Sequence, residues 1–381
     1  MLKKTICPRC EGKVRREREQ PIVIKTMAGE IAVVRGYNRC RDCGYTELPF
    51  DELLGISDLE HKMTKNFMME TAYYGQSQSS FTQASDMIKR ATGMEVSKET
   101  VRKITEGIGS RVFEADEIKA QHTLEHMDEI EISNNPKGTV FVLMDGAAVN
   151  TRIQDENGST WRENKTVMVF RDKDMLKRAN GDHIIVKKEY MPFIGSADEF
   201  KKFVLDAAVR AGYGKAANIV IVADGAAWIR NLCDDIFPDG IQILDLYHLK
   251  ENIYSYGKYI FNDDPKQYNP WAEQVIDKIE LGYADEALAL IPELTGNAPA
   301  GVVNLRTYIE NNKEKINYPN YKAKGFFVGS GAIESANKFI VQRRLKQAGM
   351  RWGVKGAQSV LTLRSKDESG LWEKEKKILT A

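Results

Sequence analysis

Two pairs of cysteines near the N-terminus have the spacing of metal ligands. Cys7 and Cys10 lie in CPRC, and Cys40 and Cys43 lie in CRDC. Thiolates with this spacing can hold one side of a tetrahedral ion, and a second pair completes a closed site of four sulfur ligands. The pattern therefore predicts structural Zn²⁺, which would supply folding energy to a segment too small for its own core. A redox-active cysteine pair is the weaker alternative.

Three acidic residues lie where an α/β fold could bring them together. Asp145 ends the apolar run VFVLMD, Asp224 ends IVIVAD, and Glu334 begins a stretch otherwise rich in Lys and Arg. Converging carboxylates repel one another, and a hard divalent cation relieves that repulsion. Two Mg²⁺ (or Mn²⁺) ions bound there could activate an attacking water or hydroxyl and stabilise the leaving oxygen of a phosphodiester. Singly, an Asp at a strand end is more often a turn residue.

Basic residues around Glu334 indicate a nucleic-acid partner. From residue 321 to residue 366, Glu334 is the only acidic residue among ten basic ones. Cations placed beside a metal site would contact DNA phosphates. The alternative is that these residues form the solvated face of a basic helix. The predicted phosphate contacts are Arg343, Arg344, Lys346 and Arg351.

Hydrophobic patterns predict the elements that must place these residues. Apolar runs indicate five strands, the first three consecutive and the last two alternating with helices. This is the element order of an RNase H-like core with a mixed five-stranded sheet, within the α/β class. If the fourth strand pairs in parallel with the first, Asp145 and Asp224 lie side by side at one edge. The predicted strands lie in GTVFVLMDGAAV, KTVMVFRD, HIIVKKEYM, NIVIVADG and IQILDLYH.

The sequence pattern of the N-terminal region predicts two DNA-binding modules. The cysteine pairs flank two β-rich runs around a turn at Ala28–Gly29, the layout of a zinc ribbon. An amphipathic helix, a turn at Gly93 and a second helix capped by Ser97 then form a helix-turn-helix pattern. Two helices of a plain bundle are the alternative. The residues that the second helix would offer to a DNA groove are Lys98, Arg102 and Lys103.

The predicted organisation has six segments. Between the fifth strand and a last helix beginning near Ala332, the pattern is helical without strands, which predicts an all-α insertion. The segments are 1–50, zinc ribbon; 51–113, helix-turn-helix region; 114–136, acidic helical connector; 137–248, first part of the catalytic core; 249–324, all-helical insertion; and 325–381, last part of the core with basic C-terminal helices.

Composition is that of an ordinary globular protein. Of the 381 residues 42% are apolar, and the net charge of +1 hides a basic C-terminal block offset by acidic residues 114–131. No run of about 18 uncharged apolar residues occurs, and MLKKTICPRCEGK lacks the apolar region of a signal peptide. We therefore expect a cytoplasmic, nucleoid-associated protein without a membrane partner.

Several stretches together resemble bacterial insertion-sequence DDE transposases, close to the Lre/Kra-type group and more distantly the Mutator-like superfamily. The resemblance implies an RNase H-like catalytic domain with its DDE triad on Asp145, Asp224 and Glu334. It also implies that Asp245 and His248 match the D-x-x-H motif of Mutator-like enzymes. The stretches are TMAGEIAVVRGYNRCRDCGYTELPFDELLG, VLMDGAAV, IVIVADGAAWI, ILDLYHLKENI and VGSGAIESANKFIVQRRLKQAGMRW.

His248 is therefore predicted as a catalytic residue beside the carboxylates, where it could contact a flipped base or the scissile phosphate. Hydrogen bonding across strands is an equally good interpretation. For Trp352, core packing is favoured over stacking on a base.

The expected function is that of a DDE transposase. Such an enzyme binds the terminal inverted repeats of its element, hydrolyses the DNA ends and joins the 3′-hydroxyls to target DNA. Two ends must be held together, so a homodimer or larger assembly on double-stranded DNA is expected. The alternatives are a catalytically silent or domesticated DNA-binding protein, and an RNase H-like nuclease that works without strand transfer.

Overall fold

The computed structural model describes residues 6–57, 59–177, 183–294, 299, 301–329 and 331–380. The chain divides into two units, the first made of Met1–Val112 with Leu371–Ala381 and the second of Phe113–Gly370. No helix within the described ranges is both long and apolar enough to cross a membrane.

The first unit begins with a long antiparallel hairpin. Strand β1 (Val14–Thr26) pairs with β2 (Gly29–Cys40), and the short β3 (Thr46–Glu47) pairs with the other edge of β2. Gly29, with φ of +116°, ends the tight turn between the long strands, as the sequence predicts. Arg35 of β2 makes a buried ion pair with Asp51 of helix α1 (Pro49–Leu53). This ion pair anchors the middle of the hairpin to the helices that follow.

Helices α2 (Lys65–Ser77), α3 (Phe81–Thr92) and α4 (Lys98–Glu125) follow. The predicted turn is present, because Gly93 ends α3 with φ of +73° and the Ser97 hydroxyl accepts the Thr100 N–H of α4. However, α4 has 28 residues and continues through most of the acidic segment 114–136. The predicted boundary at residue 113 therefore lies inside one continuous helix, which also crosses the division between the two units.

A mixed five-stranded sheet forms the centre of the second unit. Strands β4 (Thr139–Asn150) and β5 (Trp161–Arg171) precede a separate small sheet of β6 (Met175–Lys177) and β7 (His183–Ile185). Strands β8 (Glu189–Ile194), β9 (Asn218–Ala223) and β10 (Ile241–Leu244) complete the main sheet, whose order is β10-β9-β4-β5-β8. Pairing is antiparallel across β4, β5 and β8, and parallel from β4 through β9 to β10.

The third strand of this sheet differs from the prediction. The segment HIIVKKEYM divides, with His183–Ile185 in the small sheet and the main-sheet strand beginning only at Glu189. Helices cover both faces of β8, so this position requires a continuous apolar run. Tyr190, Met191 and Phe193 provide that run and are buried.

Helices fill the connections of the second unit. Helices α5 (Ala197–Ala211) and α6 (Ala227–Ile236) pack with the sheet residues Val140, Val142 and Met144 in one core. Between β10 and the last helical segment, the described residues form helices joined by loops, with no strand, as predicted, although the region begins at residue 246 instead of 249. Its helices are α7 (Leu246–Ile260), α8 (Pro265–Glu280), α9 (Ala284–Ala289), α10 (Leu305–Asn311) and α11 (Tyr318–Ala323).

The C-terminal helices cover the other face of the sheet. Helix α12 (Gly331–Asn337) packs on β4 and β5, and a π-helical turn (Lys338–Gln342) leads into α13 (Arg343–Leu345). Helix α14 (Val354–Glu368) then packs on β8, and α15 (Trp372–Thr380) packs on α2 within the first unit. Because side chains alternate along a strand, Phe141, Leu143 and Asp145 face α12 and not α5.

Candidate metal and nucleic-acid sites

The four N-terminal cysteines converge as a metal cluster would. The Sγ atoms of Cys7 and Cys43 are 3.5 Å apart, those of Cys10 and Cys40 are 3.6 Å apart, and all four sulfur atoms lie within 4.8 Å of one another. None forms a disulfide. A tetrahedral Zn²⁺ with Zn–S bonds of about 2.3 Å separates its sulfurs by about 3.8 Å. These residues could therefore hold a metal ion such as Zn²⁺.

Two similar turns present the cysteines. The Cys7 N–H donates to the Gly12 carbonyl and the Glu11 N–H to the Cys7 carbonyl, and Cys40 begins the same pattern with Gly44 and Tyr45. Four places after the first cysteine of each pair, the residue has positive φ, at +62° for Glu11 and +73° for Gly44. A non-glycine residue rarely adopts that conformation. The two cysteine pairs therefore have the same backbone geometry.

The electrostatics of the thiols also favour a cation. Burial acts to raise the pKa of Cys7, but N–H groups of Arg9 and Cys10 and the neighbouring thiols outweigh it and lower that pKa to about 7. For Cys10, the Gly12 N–H acts to lower the pKa, and the thiols of Cys43 and Cys40 together with burial raise it to about 12. Four thiolates so close together need a positive charge, which a bound ion supplies.

The strand register brings two predicted acids to one edge of the sheet. Strands β4 and β9 pair in parallel, with Thr139 opposite Asn218 and Leu143 opposite Val222. Continuing that register by two residues places Asp145 level with Asp224. The charge of Asp224 is close enough to raise the pKa of Asp145. The parallel pairing of β4 and β9, on which the predicted side-by-side placement depends, is present.

A chain of buried polar groups holds Asp145. Its Oδ2 accepts a hydrogen bond of 2.6 Å from Asn337 Nδ2, and its Oδ1 accepts one of 2.7 Å from the Gly146 N–H. Asn337 Oδ1 accepts from the Thr166 hydroxyl at 3.0 Å, and that hydroxyl accepts from Asn164 Nδ2 at 2.8 Å. Burial raises the pKa of Asp145, and these donors oppose the shift. Sequence reasoning missed Asn337, although it lies one helical turn after Glu334.

Glu334 lies in an open groove beside Asp145. The groove has a volume of about 580 Å³ and is lined by Asp145, His248, Glu334 and Lys338, among others. Glu334 and two residues at the start of α7, Asp245 and His248, bring ligand atoms within 4.8 Å of one another. That group does not include Asp145 or Asp224. In this structure Glu334 is therefore associated with the D-x-x-H residues.

Tyrosines of the helical region fix the strand ends that carry the acids. The Tyr308 hydroxyl donates to the Asp224 carbonyl at 2.7 Å, and the Tyr318 hydroxyl donates to the Leu244 carbonyl at 2.9 Å. Burial, assisted by the charge of Asp224, raises the pKa of Tyr308. The Asp224 side chain also accepts the Ala226 N–H at 2.9 Å. The helices between β10 and α12 thus stabilise the acidic edge.

One predicted phosphate contact is wrong. Arg344 is only 1% exposed, and its guanidinium lies 4.9 Å from the ring centroid of Trp352. Trp352 is itself buried, as favoured from the sequence, and its Nε1–H donates to the Leu345 carbonyl. A side chain enclosed in this way packs the protein interior and offers no surface to a phosphate.

Other basic residues of the C-terminal block are also structural. Arg364 donates to the Ile340 and Phe339 carbonyls of the π-helical turn. Lys366 makes a buried ion pair of 2.8 Å with Asp116. The remaining predicted contacts, Arg343, Lys346 and Arg351, are exposed. The basic block therefore divides into internal supports and a smaller exposed set.

Adjacent arginines offer a test of this division. Arg344→Ala is expected to lower the free energy of unfolding by about 3 kcal/mol, because it removes a buried, stacked guanidinium. Arg343→Ala is the matched control. Its exposed guanidinium lies over Phe339 at 4.2 Å, and its loss should cost at most about 1 kcal/mol. Urea denaturation measures both, and equal effects would contradict the assignment.

The helix-turn-helix residues are placed as follows. Lys98 and Lys103 are exposed on the first turns of α4. Arg102 is half-buried and pairs with Glu99 and Glu106, each at 2.6 Å. Of these three residues, the two lysines are therefore the most accessible to a DNA groove. Arg102 would first have to break its ion pairs with the two glutamates before it could bind a phosphate.

Comparison with protein families gives a match. The family described as Uncharacterised protein family (UPF0236) matches residues 8–378, nearly the entire chain. A search of curated proteins finds no match.

Proposed function

The chain belongs to the Uncharacterised protein family (UPF0236), and from this premise we propose that it is a DDE transposase with an RNase H-like catalytic core. The family is known from transposase-like proteins. The observation that carries the proposal is the β4–β9 register, which brings Asp145 level with Asp224 on the edge where α12 presents Glu334. The strand order β10-β9-β4-β5-β8, with its pattern of directions, supports the RNase H-like assignment.

The acidic edge suits divalent cations. Asp145, Asp224 and Glu334 would hold Mg²⁺ or Mn²⁺, with two ions bound in each active site. Ions bound there would lower the pKa of the attacking water or hydroxyl and stabilise the leaving oxygen of the DNA. Asn337 and the Gly146 N–H leave the remaining lone pairs of Asp145 for a ligand.

The other residues of the groove would position DNA. His248 is half-buried in the groove, where it could contact the scissile phosphate or a displaced base. Lys346 also lines the groove, and with Arg343 and Arg351 it would neutralise phosphates. The zinc ribbon, with structural Zn²⁺ on its four cysteines, and the Lys98 and Lys103 face of α4 would bind the transposon ends.

A reconstituted reaction tests this function. Purified protein with Mg²⁺ would be incubated with labelled duplexes that carry the inverted repeats flanking the gene, together with a target plasmid. We expect cleavage at the repeat ends and a joined product of donor and target. Cleavage that ignores the repeats and yields no joined product would instead indicate a nuclease. Binding of the repeats without cleavage would indicate a DNA-binding protein.

The assembly and cellular location complete the proposal. Joining two ends at one target requires both to be held together, so we propose a homodimer or larger complex on DNA. Its place of action would be the cytoplasm, on the nucleoid.

Asn337→Leu is expected to weaken catalysis without removing a metal ligand. The variant has the same number of side-chain heavy atoms, branched at the same carbon, but it cannot donate to Asp145, so the carboxylate loses its fixed orientation. Loss of such an outer partner typically costs about 10-fold to 100-fold in metal affinity or activity. Cleavage rates measured across a range of Mg²⁺ concentrations should show a higher Mg²⁺ requirement.

The control for this variant is Asn135→Leu, on an exposed loop. It should leave both the rate and the Mg²⁺ requirement unchanged. If Asn337→Leu reduces the rate equally at all Mg²⁺ concentrations, Asn337 does not act by orienting a metal ligand.

A further inference from the structure

The cluster at the start of α7 suggests a metal site other than the carboxylate pair. We propose that Asp245, His248 and Glu334 bind one divalent transition-metal ion, of the Mn²⁺ or Zn²⁺ type. Their ligand atoms lie within 4.8 Å of one another, close enough for small side-chain movements to bring all three onto one ion. Binding at this site does not require transposase activity, although Glu334 is shared with the proposed triad.

The local fold fixes two of the ligands on one helix end. Asp245 is the N-cap of α7, where one carboxylate oxygen accepts the Tyr247 N–H at 2.6 Å. His248 lies three residues later, so both side chains lie on the same face of the first turn. Asp245 is 0% exposed. Water screens a buried carboxylate only weakly, so a cation bound beside it is attracted more strongly than at an exposed site.

The third ligand is brought by a backbone contact between two segments. The Leu246 N–H at the start of α7 donates to the Val328 carbonyl at 3.1 Å. This bond ties the segment that leads into α12 to the N-terminus of α7. Glu334, on the first turns of α12, is thereby held near Asp245 and His248.

The ligand types select the metal. Mg²⁺ prefers oxygen ligands, whereas imidazole suits first-row transition metals. The Nδ1 atom of His248 lies 3.4 Å from a Glu251 carboxylate oxygen. A carboxylate behind an imidazole orients the ring and fixes its tautomer, which would leave Nε2 for the metal. The site therefore differs in chemistry from the all-oxygen pair of Asp145 and Asp224.

Mn²⁺ binding to the full chain without DNA tests this proposal. The ribbon would be zinc-loaded, and Asp224→Asn would serve as background to weaken binding at the other acids. Pulsed electron paramagnetic resonance detects ¹⁴N coupling when an imidazole ligates Mn²⁺. We expect one bound Mn²⁺ with ¹⁴N coupling. His248→Gln should abolish the coupling and weaken affinity by at least about 10-fold.

Two further variants sharpen the assignment. Asp245→Asn keeps the helix cap but should weaken Mn²⁺ binding by a similar factor. His122→Gln is the matched control, because His122 and His126 stack on α4 at 4.1 Å and form the competing histidine pair. It should leave the coupling intact.

The proposal is overturned if the ¹⁴N coupling survives His248→Gln, if it disappears in His122→Gln, or if Asp245→Asn binds Mn²⁺ normally. Because no DNA is present, these outcomes are independent of whether the chain cleaves or joins DNA. Conversely, a failed cleavage assay with intact ¹⁴N coupling would reject the transposase proposal and leave this site standing.

Discussion

Asp145→Asn is expected to reduce Mg²⁺-dependent cleavage of end-containing DNA by a factor on the order of 10³, equivalent to about 4 kcal/mol of transition-state stabilisation. The amide keeps the shape of the side chain but removes the charge that a divalent cation requires. Asp145 also stands level with Asp224, so loss of either charge impairs the same site. Gel assays of cleavage rate at saturating Mg²⁺ measure the effect.

The fold should survive this substitution. Asp145 is half-buried, and burial, with a smaller contribution from the charge of Asp224, raises its pKa. The neutral replacement removes both penalties. Thermal unfolding of the variant should therefore match or exceed that of the parent protein. Asp239→Asn, in an exposed turn after α6, is the matched control and should cleave normally. Cleavage by Asp145→Asn at the parental rate would remove Asp145 from the proposed mechanism.

The sheet of the second unit was largely predictable because its strands are simple apolar runs. β4 and β9 each end their continuous apolar run at an acid, and only parallel pairing brings those acids level. The third strand was misplaced because HIIVKK has β propensity without the apolar character that a strand covered on both faces requires. The predicted fifth strand IQILDLYH also extends too far, because β10 ends at Leu244 and Asp245 caps the following helix.

The roles of individual basic residues could not be read from composition. Arg343 and Arg344 are adjacent, yet one is exposed and the other is buried beneath Trp352. The π-helical turn before them inserts an extra residue and shifts the helical phase of all that follows. A pattern with regular α-helical spacing therefore assigns the wrong residues to the surface. The sequence shows which residues are basic but not which buried carbonyls accept hydrogen bonds from them. The Ile340 carbonyl, which accepts from Arg364, is an example.

The arrangement around the acids depends on contacts between distant segments. The hydrogen bond between Asn337 and Asp145 joins residues that are 192 positions apart in the sequence. Nothing in the sequence around Asn337 indicates that partner. Glu334 lies in the same groove as Asp145 and is also close to Asp245 and His248, a neighbourhood that the sequence does not indicate for it. The spacing of D-x-x-H within one helix turn could have suggested that Asp245 and His248 act together.

The other large effect concerns the cysteine cluster. We expect about one zinc ion per purified chain, and loss of that ion on Cys40→Ser. The apparent binding free energy of a structural zinc ion is about 10 kcal/mol or more, and it contributes directly to folding. Among the residues that the structure describes, the apolar core at this end consists of Cys7, Val14 and Cys40, with Tyr45 packed against it. Such a core cannot keep the two turns closed without the ion.

Unfolding should be confined to the cysteine end of the hairpin. At the opposite end, the Thr64 N–H donates to the Lys25 carbonyl, and in the middle of the hairpin Arg35 pairs with Asp51. Hydrogen exchange in Cys40→Ser should therefore accelerate at residues 6–16 and 38–47 but not at 22–33. Cys233→Ser is the control, since that buried cysteine lies in α6 and should not affect zinc content. Slow exchange at residues 6–16 in metal-free protein would show that the turns close without a metal ion.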